Sequence, residues 1–98
     1  MVSSNAHVAD PHFTPAFLRR IAELDALISA GEREVLDRAL ARIVTNPFLG
    51  ERFPTFYDPN LTTYFVRSDP FLIEFAVDEN TDTVTFVSLF YRTPLRRH

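Results

Sequence analysis

The side chains able to do chemistry in this chain are arginines, carboxylates and three histidines, His7, His12 and His98. A metal centre needs ligands that converge from rigid elements. His7 and His12 lie in a stretch without hydrophobic periodicity and His98 is the last residue, so all three read as solvated and no metal or cofactor is expected. There is no cysteine, which removes thiolate zinc sites and disulfides. Gly31 and Gly50 are the only glycines, too few for a phosphate-cradling loop, and no nucleophile elbow is present. Glu32 and Glu34 are close in sequence but fall on or near a solvated helix face, where they read as surface charge. Every cation is an arginine, and Arg92, Arg96 and Arg97 crowd a C-terminus free of acids, whereas the chain as a whole carries −3. That balance argues against a general nucleic-acid binder.

Two helices and three strands must position whatever chemistry remains. Thr14-Pro15 is a helix start, Thr as N-cap and Pro where its missing N–H costs nothing. Phe17, Leu18, Ile21, Leu24, Leu27 and Ile28 then form a stripe of helical period, with Arg19 and Glu23 on the opposite side. Gly31 is expected to end this helix in the left-handed conformation. A second helix carries Val35, Leu36, Ala39, Leu40 and Ile43, with Glu34 and Arg38 spaced for an i,i+4 pair, and stops at Asn46-Pro47. Residues 48–61 read as a loop. Strands are expected over 62–67, 71–77 and 83–91, joined by turns at Ser68-Asp69-Pro70 and 78–82. Connections so short make the strands antiparallel.

The expected fold class is therefore α+β, a helical hairpin packed on an antiparallel β-meander. It occupies one domain at 14–92, preceded by a tail or short edge strand over 1–13, around His7 to Ala9, and followed by a basic tail at 93–98. No run is long and apolar enough for a membrane span and the first ten residues lack a signal-peptide pattern, so the expectation is a cytoplasmic protein.

Alternation in the middle strand gives Phe71, Ile73, Phe75 and Val77 to the core, leaving Leu72 and Glu74 on the other face. By parity Phe65 and Arg67 join that outer face, with Ser88, Phe90 and Arg92 at one edge. An outer face bearing Phe65, Leu72, Phe86 and Phe90 is too apolar to stand bare. The N-terminal segment, a second copy of the chain in a homodimer, or a partner peptide would cover it.

Asn46-Pro47-Phe48-Leu49-Gly50, in register with the hairpin, Tyr64-Phe65-Val66-Arg67, the run from Phe71 to Asp78 and the strand closing on Arg92, resembles the RelE/ParE superfamily of bacterial toxin–antitoxin systems. The resemblance covers residues 13–92. It implies a toxin neutralised by a cognate antitoxin, for which Phe17, Leu18, Phe65, Leu72, Phe90 and Arg92 are the candidate antitoxin or target contacts. RelE-type members cleave ribosome-bound mRNA with basic and aromatic groups; here Arg67, Tyr91 and Arg92 would do that work, stabilising phosphoryl charge and handling protons. Two lysine positions of the family fall on Thr63 and Phe65, and an arginine position on Leu72. The ParE-like branch, which binds DNA gyrase without RNA cleavage, therefore fits the residues better. A non-toxic binding or dimerising domain of the same fold is the third reading.

Overall fold

The computed structural model describes residues 9–47, 53–54 and 63–92. In chain order the elements are β1 (Asp10–Phe13), α1 (Pro15–Asp25), α2 (Ala30–Thr45), β2 (Phe53–Pro54), β3 (Thr63–Ser68), β4 (Phe71–Asp78) and β5 (Thr83–Tyr91). The strands form one five-stranded mixed sheet in the order β1-β5-β4-β3-β2. The α+β hairpin-on-meander architecture is as expected, and the meander β3-β4-β5 is antiparallel. It gains a strand at each edge. β1 runs parallel to β5, Phe13 opposite Phe86, and lies just after His7–Ala9, the candidate edge strand of the sequence; His7 is outside the described residues. β2 pairs with β3 inside what read as loop, the rest of which, with Phe48 to Gly50 of the Asn-Pro signal, Arg96, Arg97 and His98, is also outside the described residues.

Local sequence explains the helix ends. Thr14 is the N-cap of α1: its Oγ1 accepts the Phe17 N–H at 3.1 Å, and Pro15 takes the first helical position. α1 stops at Asp25, however, well before Gly31. The reason is a capping box at the start of α2, in which Ser29 Oγ accepts from the Glu32 N–H at 3.1 Å and Glu32 Oε1 accepts from the Ser29 N–H at 3.0 Å. Gly31 thus lies in the first turn of α2 and has no left-handed role. Asn46 caps the C-terminus of α2, its N–H on the Arg42 carbonyl at 2.9 Å, as the Asn-Pro pair predicts. Arg33 ties the two helices together across the turn, reaching Asp25 of α1 and, at 3.1 Å, Asp37.

Both helices cover the same face of the sheet. Phe17, Leu24, Leu36, Ala39 and Ile43 from the helices join Val66, Phe71, Ile73, Phe75, Val84, Phe86 and Leu89 from the strands in one buried cluster. Phe17 lies against Phe86 with ring centroids 5.5 Å apart, and Phe13 stacks on Phe86 at 5.1 Å, a spacing at which aromatic pairs attract. Leu18, in the apolar stripe by sequence, is 52% exposed, because a helix this short has room on its buried face for only one of two neighbouring apolar residues; Leu27, from the same stripe, is 68% exposed and falls beyond the end of α1.

Parity in β5 does not run unbroken. Glu74 faces Ser88 while the next residue, Phe75, faces Phe86, so Val87 is the extra residue of a β-bulge. Val84 and Phe86 point to the helices before the bulge, Leu89 and Tyr91 after it. Phe86, expected on the outer face, is therefore fully buried in the core.

Candidate binding cleft at the end of the outer sheet face

The outer face carries Phe65 and Arg67 of β3, Leu72 and Glu74 of β4, and Ser88 and Phe90 of β5, cross-strand neighbours in the observed register. Where β4 begins and β5 ends, they border a cleft of about 320 Å³ lined by Arg67, Asp69, Leu72, Phe90, Tyr91 and Arg92 among others. Its frame is rigid by local bonding. The Arg92 N–H donates to the Pro70 carbonyl at 2.8 Å, fastening the end of β5 to the turn that starts β4. Asp69-Pro70, a cis peptide, makes that turn. Phe90 is 49% exposed and tilts against Phe65 at 6.2 Å, giving the cleft an aromatic wall beside half-buried Leu72.

The charges in the cleft are unevenly committed. Arg67 Nε donates to Asp69 Oδ1 at 2.8 Å, and this bond holds the Asp69 carboxyl below its ordinary range, with the positive charges of Arg67 and Arg92 adding to it. The same contact raises the Arg67 guanidinium further. Arg92 makes no side-chain hydrogen bond or ion pair among the described residues. Further along the face, Glu74 is 8% exposed and accepts the Thr63 hydroxyl at 2.9 Å, so an acid is buried where a phosphate-binding surface would need a cation.

Of the sequence-derived candidates, Arg67, Leu72, Phe90 and Arg92 meet in the cleft and Phe65 adjoins it. Phe17 does not belong to any docking surface, because it is fully buried between α1 and β5. Leu18 is exposed, but on α1, which packs on the opposite face of the sheet from Phe90. Tyr91 turns its hydroxyl to the helix layer: it lies 3.3 Å from each carboxylate oxygen of Glu32 and its ring is 5.5 Å from that of Phe71. Partial burial, then the Glu32 charge and hydrogen bond, push the Tyr91 phenol above its ordinary value. Glu32, read from the sequence as surface charge, is thus half-buried and holds both a helix cap and a strand end. The Ser29-x-x-Glu32 spacing signals the cap; nothing in the sequence signals the tie to Tyr91. Among the described residues no group of three or more His, Asp or Glu side chains could hold a metal ion, and no helix is long and apolar enough to cross a membrane.

This arrangement of sheet and helices recurs in solved structures. The RelBE2 toxin–antitoxin complex of Mycobacterium tuberculosis superimposes with a TM-score of 0.67 at 19% identity, over 88% of this chain and 100% of that one. The RelE–RelB complex of Pyrococcus horikoshii gives 0.69 at 9% identity, over 88% and 97%. Isolated Escherichia coli RelE gives 0.63 at 15%, over 89% and 87%. The fold is that of the RelE toxins. No protein-family model matches the chain, and neither does any curated protein sequence. At such identities the likeness to RelE lies in the backbone, and the cleft must be judged on the residues this chain puts there.

Proposed function

We propose that the chain is the toxin of a type II toxin–antitoxin pair, neutralised by a cognate antitoxin and acting on its target by binding protein. The RelE fold shared over nearly the whole chain, with two of the neighbours solved as toxin–antitoxin complexes, supports the toxin assignment. The observation that carries binding over cleavage is the state of the cleft charges. RNA cleavage asks for several cations free to stabilise a phosphoryl group, yet Arg67 is engaged by Asp69 and Tyr91 by Glu32. What the cleft offers instead is an aromatic wall and Arg92, the pairing common at the centre of protein interfaces. DNA gyrase, the target of ParE-like toxins, is the target this reading names.

Arg92 also favours a second reading, RelE-like cleavage of ribosome-bound mRNA, because it is the cation that matches the family's arginine near the end of the last strand. Induced expression in bacteria separates the two. Filamentation with a DNA-damage response supports gyrase binding. Rapid arrest of translation, abolished by Arg92→Ala, supports mRNA cleavage, and unimpaired growth removes both. Co-expression with each adjacent reading frame tests the antitoxin: a toxin should co-purify with one of those products.

A further inference from the structure

The last residues of a strand fray unless something fastens them. β5 ends on the Phe71–Tyr91 pair, and two of the cleft's main residues, Phe90 and Arg92, flank Tyr91. Because side chains alternate along a strand, Phe90 and Arg92 face outward only while Tyr91 faces inward. Leu89, buried at 4% exposure, fixes that parity up to its own position. Beyond it, Phe90 and Tyr91 are aromatic neighbours of similar size, and either ring could lie beside Phe71. The two differ in the hydroxyl. Tyr91 places its hydroxyl 3.3 Å from both Oε1 and Oε2 of Glu32, whose Oε1 also accepts the Ser29 N–H at 3.0 Å. One carboxylate therefore joins the cap of α2, the interhelix turn and the end of the last strand.

We propose that Glu32 is a positioning residue for the cleft: by gripping the Tyr91 hydroxyl it selects Tyr91 over Phe90 for the inner side of β5 and so turns Phe90 and Arg92 outward. The capping box supports this role, because it pins the Glu32 side chain from its own helix before the tyrosine arrives. The raised Tyr91 phenol agrees with a proton held between ring and carboxylate. The inference concerns how the cleft is built and does not rest on the toxin reading, so the growth test and the test below fail separately.

The test is amide hydrogen exchange by NMR on the full chain. Tyr91→Phe keeps the ring against Phe71 and removes only the hydroxyl. Loss of one modest hydrogen bond should quicken exchange of the Arg92 amide by about five- to tenfold. The Val84 amide, near the opposite end of the same strand, should stay within about twofold. Glu32→Gln keeps an acceptor and the capping box and should preserve most of the Arg92 protection. It should also move the Tyr91 phenol titration down toward its ordinary value, assigned among the three tyrosines by difference from Tyr91→Phe. Unchanged Arg92 exchange in Tyr91→Phe overturns the proposal, as does an equal acceleration at Val84, which would mean general destabilisation. If Tyr91→Phe does not fold, the Tyr91 phenol is assigned by difference from Tyr57→Phe and Tyr64→Phe instead, and a titration unmoved by Glu32→Gln overturns the proposal.

Discussion

The Thr14 hydroxyl donates to the Val87 carbonyl at 3.0 Å, across 73 residues of chain, while accepting the Phe17 N–H at 3.1 Å. One hydroxyl thus starts α1 and satisfies a carbonyl at the bulge in β5. The bulge shifts the parity of the last strand, sending Phe86 into the core and Phe90 to the cleft. The same side chain thus touches both the start of α1 and the bulge from which the cleft end of β5 continues.

Thr14→Ala should remove both bonds at once. Loss of an N-cap alone costs about 1 kcal/mol, and the unpaired Val87 carbonyl adds to it, so a destabilisation of about 1–2 kcal/mol is expected. For a domain of this size that lowers the thermal midpoint by roughly 5–15 °C. Thr14→Ser, which keeps the hydroxyl, should recover most of the loss in the same thermal or urea denaturation series.

Phe17 and Leu18 separate core from surface. Phe17→Ala opens a cavity in the cluster with Phe86 and should cost about 3–5 kcal/mol. Leu18→Ala, at a site 52% exposed, should change stability by no more than about 0.5 kcal/mol. Urea denaturation of the two variants checks the contrast, and a Leu18 cost as large as that of Phe17 would contradict the packing of α1.

The elements were legible where a single residue carries a strong local cause. Thr14-Pro15 started α1, Asn46-Pro47 stopped α2, and the alternation of Phe71, Ile73 and Phe75 marked β4 with the correct inner face. The misplaced features depend on partners distant in sequence. Phe17 and Leu18 are equally apolar, and only the position of β5 decides which is buried. Gly31 invited a helix end that the Ser29–Glu32 box pre-empted from the other side of the turn. β1 is four residues long and contains Pro11, too short to show alternation. Its pairing bonds run from the Asp10 and Thr14 N–H groups, so Pro11 falls at an outward position where a missing donor costs nothing. The bulge left one trace, Ser88, polar at a position where unbroken alternation from Val84 and Phe86 calls for an apolar residue. Of the cleft, Arg67, Leu72, Phe90 and Arg92 could be gathered by parity alone. Neither the engagement of Arg67 by Asp69 nor the inward turn of Tyr91 could, since both depend on geometry at the ends of strands.

The Arg67–Asp69 bond makes a prediction about pH. The Asp69 carboxyl is held below its ordinary value of 3.8, so any stability from this pair is present above that value and is lost as pH falls through the lower, folded value. Both side chains are exposed, which leaves the contribution small. The visible effect is on titration: Arg67→Ala should raise the Asp69 pKa toward its ordinary value in a carboxyl NMR titration, with little change in the acid limb of the stability curve. An Asp69 pKa unmoved by Arg67→Ala would show that another group holds it down.

The unequal commitment of the two arginines should also appear in binding. Arg92 makes no side-chain hydrogen bond or ion pair among the described residues, whereas Arg67 must surrender Asp69 before it can meet an anionic group. For a partner protein obtained by co-purification, Arg92→Ala should weaken binding by about tenfold, as expected for a charge-assisted contact, and Arg67→Ala by about threefold or less. Asp69→Asn removes the competing carboxylate and leaves Arg67 available, so it should tighten binding to an acidic partner, more strongly at low ionic strength than at high. Titration calorimetry at two salt concentrations reads all three variants. Equal losses for Arg92→Ala and Arg67→Ala, with no gain from Asp69→Asn, would mean that Asp69 does not restrain Arg67 in solution. The cleft would then present two equivalent cations, as stabilising a phosphoryl group at this end of the sheet requires.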